Sequence, residues 1–336
     1  MGRLQYIDIL KGWSILCIML LHYEEGIFPG WLNAWVGNFM ISAFYFTSGW
    51  LAGIRPRDIT VKELAKKRWQ TLGKPYFYFS ILILAFDLIL FAVGYYDLKF
   101  IARELYKTIT IRGIGTLWFL PALFGGEIIF RWILNKNNRI LLIVTILLSL
   151  IIIHYYYYFY FKYRNVSDVH RMIEAPLFTI RNIILAWPII YIGYALGKHI
   201  GAKLSNSNIY GILTIGIIIT GISIYYNGGF CPFSFGIVTP LIVPVIGPFG
   251  LLLLAYPIKG NNIAARFLSF WGVNSLVMMV THYSITLVLC KIIDQHLFHL
   301  PFTGVKTLIW FAISVFITYP IAWFFNNKAK WMLGKG

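Results

Sequence analysis

The chain has 336 residues, of which 59% are hydrophobic and 12% are charged, and its formal net charge is +17. A soluble globular protein of this length needs a larger charged surface, so the composition excludes that class. Apolar runs of about 20 residues, long enough to cross a hydrocarbon layer of about 30 Å, recur along the whole chain. The sequence therefore predicts an all-α polytopic membrane protein.

In chain order, the apolar runs predict about ten transmembrane helices in one bundle. The predicted spans lie at residues 7–25, 34–53, 75–95, 117–134, 139–161, 177–197, 209–226, 235–257, 271–292 and 304–325. Asp8 and Lys11 interrupt the start of the first span, and no small-residue cleavage pattern follows His22, so this span is expected to stay in the mature chain. We interpret residues 1–336 as a single transmembrane domain without a separate soluble domain.

The charge of the loops predicts the orientation in the membrane. Residues 55–74 contain seven bases and two acids. Cytoplasmic loops are enriched in Lys and Arg, so this segment and both termini are predicted to be cytoplasmic, in a multi-pass protein of the cytoplasmic (inner) membrane. The outer stretch 96–116 also carries four bases: Lys99, Arg103, Lys107 and Arg112. Bases on the outer side do not serve the positive-inside pattern, which indicates that they have another function. Bases between spans contact anionic lipid, so membrane lipids are expected partners and nucleic acid is not.

The first span carries an unusual set of polar residues. Residues 6–25 read YIDILKGWSILCIMLLHYEE. On an α-helix, residues 11 positions apart return to within about 20° of one face and lie about 16 Å apart, so Asp8, Lys11, His22 and Glu25 form one stripe. Taken singly, Lys11 could be a snorkelling residue and His22 an interfacial one. Their alignment favours a protein interior or a water path, where histidine can exchange a proton near neutral pH.

The cysteines give little information about function. Cys17, Cys231 and Cys290 lie in apolar or loop contexts without metal-ligand spacing, and their odd number argues against a disulfide framework. The histidines in the predicted loops form no metal-type pattern either. No metal is therefore expected.

Five motifs together resemble the acyltransferase 3 family of membrane acyltransferases. The first span has Lys11, ten residues and then His22, with lysine where the family more often has arginine. The other four are FYFTSGW at 44–50, KRWQTLGKPY at 67–76, TLWFLPALF at 116–124 and NSLVMMVTHYSI at 274–285. Their order and spacing cover nearly the full transmembrane unit. The family's basic motif often has two arginines three residues apart, whereas this chain has Arg68 and then Thr71.

The resemblance implies transfer of a short acyl group, typically acetyl, from cytoplasmic acyl-CoA to a hydroxyl. The acceptor would be an envelope or extracellular glycan, or a lipid-linked sugar, which implies a role in O-acetylation of polysaccharide at the cell envelope. The phosphates of acetyl-CoA or another short acyl-CoA need basic groups at the inner mouth, and Lys67, Arg68 and Lys74 are the candidates. Lysine supplies a point charge and no planar fork, so Thr71 weakens the case for a paired arginine clamp.

The resemblance also implies roles for the residues of the first span. His22 would be the general base on the acceptor hydroxyl or, as an alternative, a transient acyl carrier. Glu25, or Glu24 if the helix ends early, would orient the ring, and Asp8 would hold Lys11. Two further residues are candidates for shaping the donor channel, although simple packing explains them equally well: Ser48 and Trp118.

Other polar residues within the predicted spans are harder to place. Asp87, Glu127 and Arg181 indicate mutual pairing or a cavity, because isolated charges are costly in a membrane. Arg181 and His282 are candidates for an additional site, and a hydrogen-bonded structural histidine explains His282 equally well. The rival function is a membrane transporter or glycan exporter, whose interrupted helices surround a midplane site. No matched pair of interrupted segments in two halves supports that reading.

Overall fold

The computed structural model describes residues 3–23, 27–227, 239–258, 260, 262–298 and 304–335. Helices account for all regular structure in these residues, and no strand occurs among them, which confirms the all-α prediction. The α-helices are α1 (Gln5–Tyr23), α2 (Gly30–Phe39), α3 (Ser42–Ile54), α4 (Val61–Arg68), α5 (Lys74–Ala92), α6 (Leu98–Ile109), α7 (Phe119–Lys136), α8 (Arg139–Tyr163), α9 (Asp168–Leu204), α10 (Ile209–Asn227), α11 (Thr239–Ala255), α12 (Ile263–Val273), α13 (Ser275–Thr281), α14 (Val288–Phe298) and α15 (Val305–Asn327). Two π-helical segments, Trp69–Gly73 and His282–Leu287, and a short 3₁₀ helix, Lys330–Leu333, complete the elements.

Seven helical stretches in the described part of the chain are long and apolar enough to cross a membrane. They are Gln5–Tyr23, Val61–Ala92, Arg139–Tyr163, Asp168–Leu204, Ile209–Asn227, Ser275–Phe298 and Val305–Asn327. Two shorter apolar helices cover Pro244–Ala255 and Ile263–Val273. The protein is thus a multi-pass helical membrane protein. The number of ten spans, the cytoplasmic termini and the single-domain interpretation stay predictions.

The chain forms two compact units. The first combines Met1–Arg57 with Ile189–Ala322, and the second combines Asp58–Pro188 with Trp323–Gly336. The first unit holds the polar stripe of α1 and the late motif at 274–285, whereas the second holds the basic motif at 67–76 and the motif at 116–124. The sequence motifs therefore fall into two groups, one in each unit.

The helix that contains the basic motif begins at Val61, well before the predicted span at 75–95. Thr60 starts it with a capping box, in which its hydroxyl accepts from the Glu63 backbone N–H and the Glu63 carboxylate accepts from the Thr60 backbone N–H. Hydropathy detects only the apolar part of such a helix, which explains the late predicted start. The motif KRWQTLGKPY is therefore helical, with the π turn Trp69–Gly73 at its centre.

The second predicted span, 34–53, is two helices instead of one. α2 ends at Phe39 and α3 begins at Ser42. The Ser42 hydroxyl donates to the backbone carbonyls of Asn38 and Phe39, both at 3.0 Å. A side chain that bonds the preceding turn competes with the helical ladder, which accounts for the break at this place.

Glycines in the first unit allow helices to approach until backbone meets backbone. A Cβ at Gly49 of α3 would lie 1.8 Å from the carbonyl oxygen of Ile190 in α9, and one at Gly53 would lie 2.4 Å from that of Tyr194. On α1, a Cβ at Gly12 would lie 1.9 Å from the carbonyl oxygen of Leu268 in α12. Small residues at such crossings are the usual basis of close helix packing in membranes. The glycine in FYFTSGW is therefore explained by packing.

Gly49→Ala is expected to lower the unfolding temperature of the purified protein, because the added methyl must push α3 away from Ile190. Overpacking of this kind costs about 1–3 kcal/mol. Gly221→Ala is the matched control, since a Cβ at this helical glycine of α10 would meet nothing within 4 Å. The measurement is thermal unfolding in detergent, and equal unfolding temperatures for the two variants would contradict the packing role of Gly49.

Candidate active site

The polar residues of the first span lie on one unbroken helix. α1 runs from Gln5 to Tyr23, so Asp8, Lys11 and His22 keep the helical spacing on which the stripe depends. Asp8 is buried and accepts from Arg3, with Nη2 to Oδ1 at 3.1 Å. Arg3 is a partner of Asp8 that the sequence analysis did not name, and the pairing of Asp8 with Lys11 stays a prediction.

A second histidine lies directly beside His22. The Nε2 atom of His282 is 3.1 Å from the Nδ1 atom of His22, and the two ring centroids are 5.1 Å apart. His282 is fully buried, whereas His22 is half-buried. The ring of Tyr283 covers another side of His22 at 4.8 Å between centroids. Residues separated by 260 positions in the sequence thus form one imidazole pair.

Backbone carbonyls assign the protons of this pair. The Nδ1 atom of His22 is 2.8 Å from the Ile18 carbonyl oxygen, and the Nδ1 atom of His282 is 2.7 Å from the Met278 carbonyl oxygen. A carbonyl only accepts, so both rings carry their proton on Nδ1 when neutral. The single Nδ1–H of His22 is then shared between the Ile18 carbonyl and the Nε2 atom of His282, and the Nε2 lone pair of His22 is left to act as a base.

The helix that carries His282 departs from α-helical geometry at this residue. α13 ends at Thr281, and the π-helical segment His282–Leu287 follows before α14. Single π turns inside longer helices are often found at functional sites, because they shift a side chain out of its regular register. The basic motif contains the second π turn, Trp69–Gly73. Both irregular segments therefore coincide with motifs singled out in the sequence.

The basic motif in the second unit is organised around a buried carboxylate. The guanidinium of Arg68 donates to Glu127 through Nε and through Nη2, the latter at 2.7 Å from Oε1. Glu127 is 3% exposed, so Arg68 supplies a positive charge to an otherwise costly buried acid. Lys67 is exposed and Lys74 is half-buried on the same continuous helix. Lys67, Arg68 and Lys74 were predicted to contact phosphate, and Arg68 already has an anionic partner in the protein.

A comparison with protein families matches residues 4–327 to an acyltransferase domain. This match covers nearly the whole chain. The chain belongs to the acyltransferase 3 family. The resemblance seen in the five motifs is thereby confirmed, and the protein is a membrane acyltransferase whose family transfers acyl groups to hydroxyl acceptors. No curated protein and no solved structure matches it.

In this acyltransferase, Trp118 lies in the second unit at the start of α7. Its ring packs edge-on against Phe178 of α9, with 5.7 Å between centroids. The backbone before it is tightly turned, since Gly113 has φ +78° and a Cβ there would lie 2.4 Å from the Trp118 backbone nitrogen. The predicted role of Trp118 in the donor channel stays a prediction.

The remaining predicted site residues have separate positions. Ser48 lies in α3 beside the close contact of Gly49. Arg181 lies in α9 of the second unit, and His282 lies in the first. Their role in an additional site stays a prediction. Glu24 and Glu25, predicted to orient His22, lie outside the described residues. The described side chains that contact the His22 ring include those of His282 and Tyr283.

Sequence reasoning missed several contributors. Arg3 and Tyr283 were not considered, although Tyr283 directly follows His282 in the late motif. Asp87, Glu127 and Arg181 were expected to pair with one another or to line a cavity. Among the described contacts, Glu127 accepts from Arg68, and Arg181 donates to Asn182 and Tyr157. In Asp87, the buried Oδ2 atom has no hydrogen-bond partner among the described residues. Helical spacing alone could not identify these partners, because each comes from a different helix or from a neighbouring turn.

Proposed function

We propose that this protein transfers a short acyl group, most simply acetyl, from cytoplasmic acyl-CoA to a hydroxyl of an envelope or extracellular glycan. The acceptor can equally be a lipid-linked sugar. Family membership supports acyl transfer, and the basic segment at 55–74 supports a donor with phosphate groups on the inner side. The proposed location is the cytoplasmic (inner) membrane, with both termini inside.

The reaction follows from the proton assignment in the imidazole pair. His22 Nε2 takes the proton of the acceptor hydroxyl while the hydroxyl oxygen attacks the thioester carbonyl. The carbon–sulfur bond then breaks, the coenzyme A thiolate leaves, and it recovers the proton from the His22 imidazolium. The products are an O-acyl ester and free coenzyme A. During this cycle the Ile18 carbonyl and His282 Nε2 hold the ring in one orientation.

The single observation that carries this proposal is the 3.1 Å contact between His22 Nδ1 and His282 Nε2. A catalytic base needs a third group that fixes its ring and tautomer, as in other base-activated transfer enzymes. A histidine that served only as an interfacial anchor would not need a second, fully buried imidazole as its partner. The pair thus favours catalysis over anchoring.

The proposal is tested with purified protein in detergent and acetyl-CoA as the donor. We expect release of free coenzyme A to depend on an added glycan acceptor, with a matching mass increase of one acetyl group on the acceptor. Mass spectrometry of envelope glycans from cells with and without the gene would then identify the natural acceptor. Binding of acetyl-CoA or the glycan without thioester cleavage, whichever acceptor is added, would instead support a transporter or glycan exporter.

The ion pair between Arg68 and Glu127 provides two variants that test donor binding. If Arg68 also contacts a donor phosphate, Arg68→Ala should weaken acetyl-CoA binding about tenfold, through loss of a charge-assisted contact. Glu127→Gln should leave binding equal or stronger, because it removes the competing carboxylate and keeps the guanidinium. Calorimetry in detergent measures both affinities.

A purely structural ion pair predicts a different pattern. Both variants would then lower the unfolding temperature and the donor affinity together, since each breaks the same buried pair. Lys74→Ala serves as a second probe. The described contacts of Lys74 include no ion pair with an acid, so the substitution removes a positive charge without breaking such a pair. Unchanged affinity in both Arg68→Ala and Lys74→Ala would remove this motif from the donor site.

A further inference from the structure

Two arginines of the second unit border the same aromatic ring. Arg112 lies in the turn between α6 and α7, and its Cζ atom is 4.7 Å from the centroid of Phe178. Arg181, one turn after Phe178 on α9, has its Cζ atom 5.5 Å from that centroid. Arg181 is also 5.0 Å from the ring of Tyr156. Aromatic faces attract guanidinium groups and hold them in place without neutralising their charge.

The acid in this cluster does not balance the two arginines. Glu174 is 3% exposed and accepts from the Tyr156 hydroxyl at 2.7 Å. Its other oxygen is 3.6 Å from Arg112 Nη2, which is longer than a hydrogen bond. Arg181 donates to two neutral groups, Asn182 Oδ1 at 2.5 Å and Tyr157 at 3.4 Å. Of the two guanidinium groups, that of Arg112 thus lies at ion-pair distance from the carboxylate, and that of Arg181 donates to neutral groups.

Several donors in this cluster are buried without an acceptor. The Nε atoms of Arg112 and Arg181 and the Nδ2 atom of Asn182 have no hydrogen-bond partner within the part of the chain that the structure describes. Asn182 is 3% exposed, so water does not readily compensate for the missing bond. All three unsatisfied groups are donors. The cluster therefore has three buried donor atoms that an additional acceptor could satisfy.

A third cation lies near this cluster. Lys107 of α6 donates to Glu104 at 2.7 Å, yet burial lowers the pKa of Lys107. The charge of Glu104 opposes this shift, and the like charges of Arg103 and Arg112 add to it. Arg112 therefore lies near other cations, in a region that also holds the acids Glu104, Glu174 and Asp87. Three of the four bases that depart from the positive-inside pattern are in this region: Arg103, Lys107 and Arg112.

We propose that Arg112, Arg181 and Asn182 form a binding site for an oxyanion, either a carboxylate or a phosphate group. Such a ligand supplies acceptors for the three buried donors, and guanidinium groups bind both oxyanions through paired hydrogen bonds. Arg112 has 21% of its side chain exposed, which gives the ligand access. The site lies in the second unit, whereas the His22–His282 pair lies in the first, and it does not depend on acyl transfer.

The test uses inorganic phosphate and acetate as probes, each titrated against chloride at constant ionic strength, because ionic strength itself screens charges. The readout is the unfolding temperature of the full-length protein in neutral detergent, since a ligand that binds only the folded state raises it. We expect a saturable rise with at least one probe. Arg112→Gln and Arg181→Gln should each raise the apparent Kd about tenfold or more.

Two controls keep the test decisive. Arg171→Gln removes the same charge from an exposed arginine of α9 that pairs with Asp168, and it should respond to phosphate like the parent. Arg181→Lys keeps the charge but loses the planar fork, so it should fold and still bind more weakly. No saturable rise in the parent, or the same apparent Kd in the parent and in both Gln variants, would overturn the site.

A further arm distinguishes the two sources of such a group. Micelles that contain phosphatidylglycerol are compared with micelles of phosphatidylcholine, whose headgroup carries no net charge. If a lipid headgroup occupies the site, phosphatidylglycerol should saturate it and abolish the response to phosphate in the parent protein. If a free or acceptor-borne oxyanion occupies it, the response to phosphate should be the same in both micelles.

Discussion

His22→Gln is expected to lower the rate of acyl transfer by about 10²–10⁴-fold, which is the usual contribution of a positioned general base. Glutamine has a similar size and polarity, but its amide cannot take the proton of the acceptor hydroxyl. Donor affinity and the unfolding temperature should stay close to those of the parent. Turnover of acetyl-CoA and calorimetric binding, measured on the same preparation, separate chemistry from binding.

The matched control for this experiment is His199→Gln, which changes an exposed histidine near the end of α9. It should transfer acetyl groups at the parental rate. A folded His22→Gln protein with parental transfer activity would falsify the proposed catalytic role. In that case His22 would be a structural residue, and the transporter reading would regain support.

His282→Leu should produce the second large effect, a loss of about 10²-fold in kcat with little change in KM for the donor. In the proposed mechanism His282 is a positioning residue, because it contacts the Nδ1 atom of His22 and not the Nε2 atom that takes the proton. In serine proteases, loss of the group that orients the base costs about 10⁴-fold, and part of that loss comes from a negative charge that a neutral imidazole lacks. We therefore expect the smaller factor.

His282→Gln distinguishes positioning from packing. The side-chain carbonyl of glutamine can accept from His22 Nδ1, so this variant should recover at least about tenfold of the activity lost in His282→Leu. A role in packing alone predicts the reverse order, because leucine suits a fully buried position better than glutamine does. Unfolding temperatures of both variants, measured beside their kcat values, separate the two effects.

The candidate site was only partly predictable from the sequence. Lys11 and His22 are related by spacing within one helix, and any regular helix over these residues places them on one face. The role of His282 could not be decided in this way. The motif NSLVMMVTHYSI places a histidine in a late span, and a structural histidine explains it equally well at the level of sequence. Its 3.1 Å contact with His22 depends on the packed structure.

The same limit applied to the charged residues of the second unit. Arg68 was expected to bind phosphate, and the buried carboxylate that it contacts lies 59 residues later in the chain. Arg112 and Arg181 were noticed separately, one as an unexplained outer base and the other as a charge within a span. Their common contact with Phe178 depends on how the turn before α7 packs against α9.

The resemblance of five motifs was sufficient for the family, whereas amino-acid composition and local spacing were sufficient for the helical membrane fold and the polar stripe of α1. These properties depend on interactions within a few residues, or on the transfer of apolar side chains from water to lipid. The imidazole pair, the Arg68–Glu127 ion pair and the arginine cluster required the packed structure. Each depends on which helix faces meet and on small shifts in helical register, such as the π turn at His282. Those features arise from packing between distant segments, which no pattern along a single stretch of sequence contains.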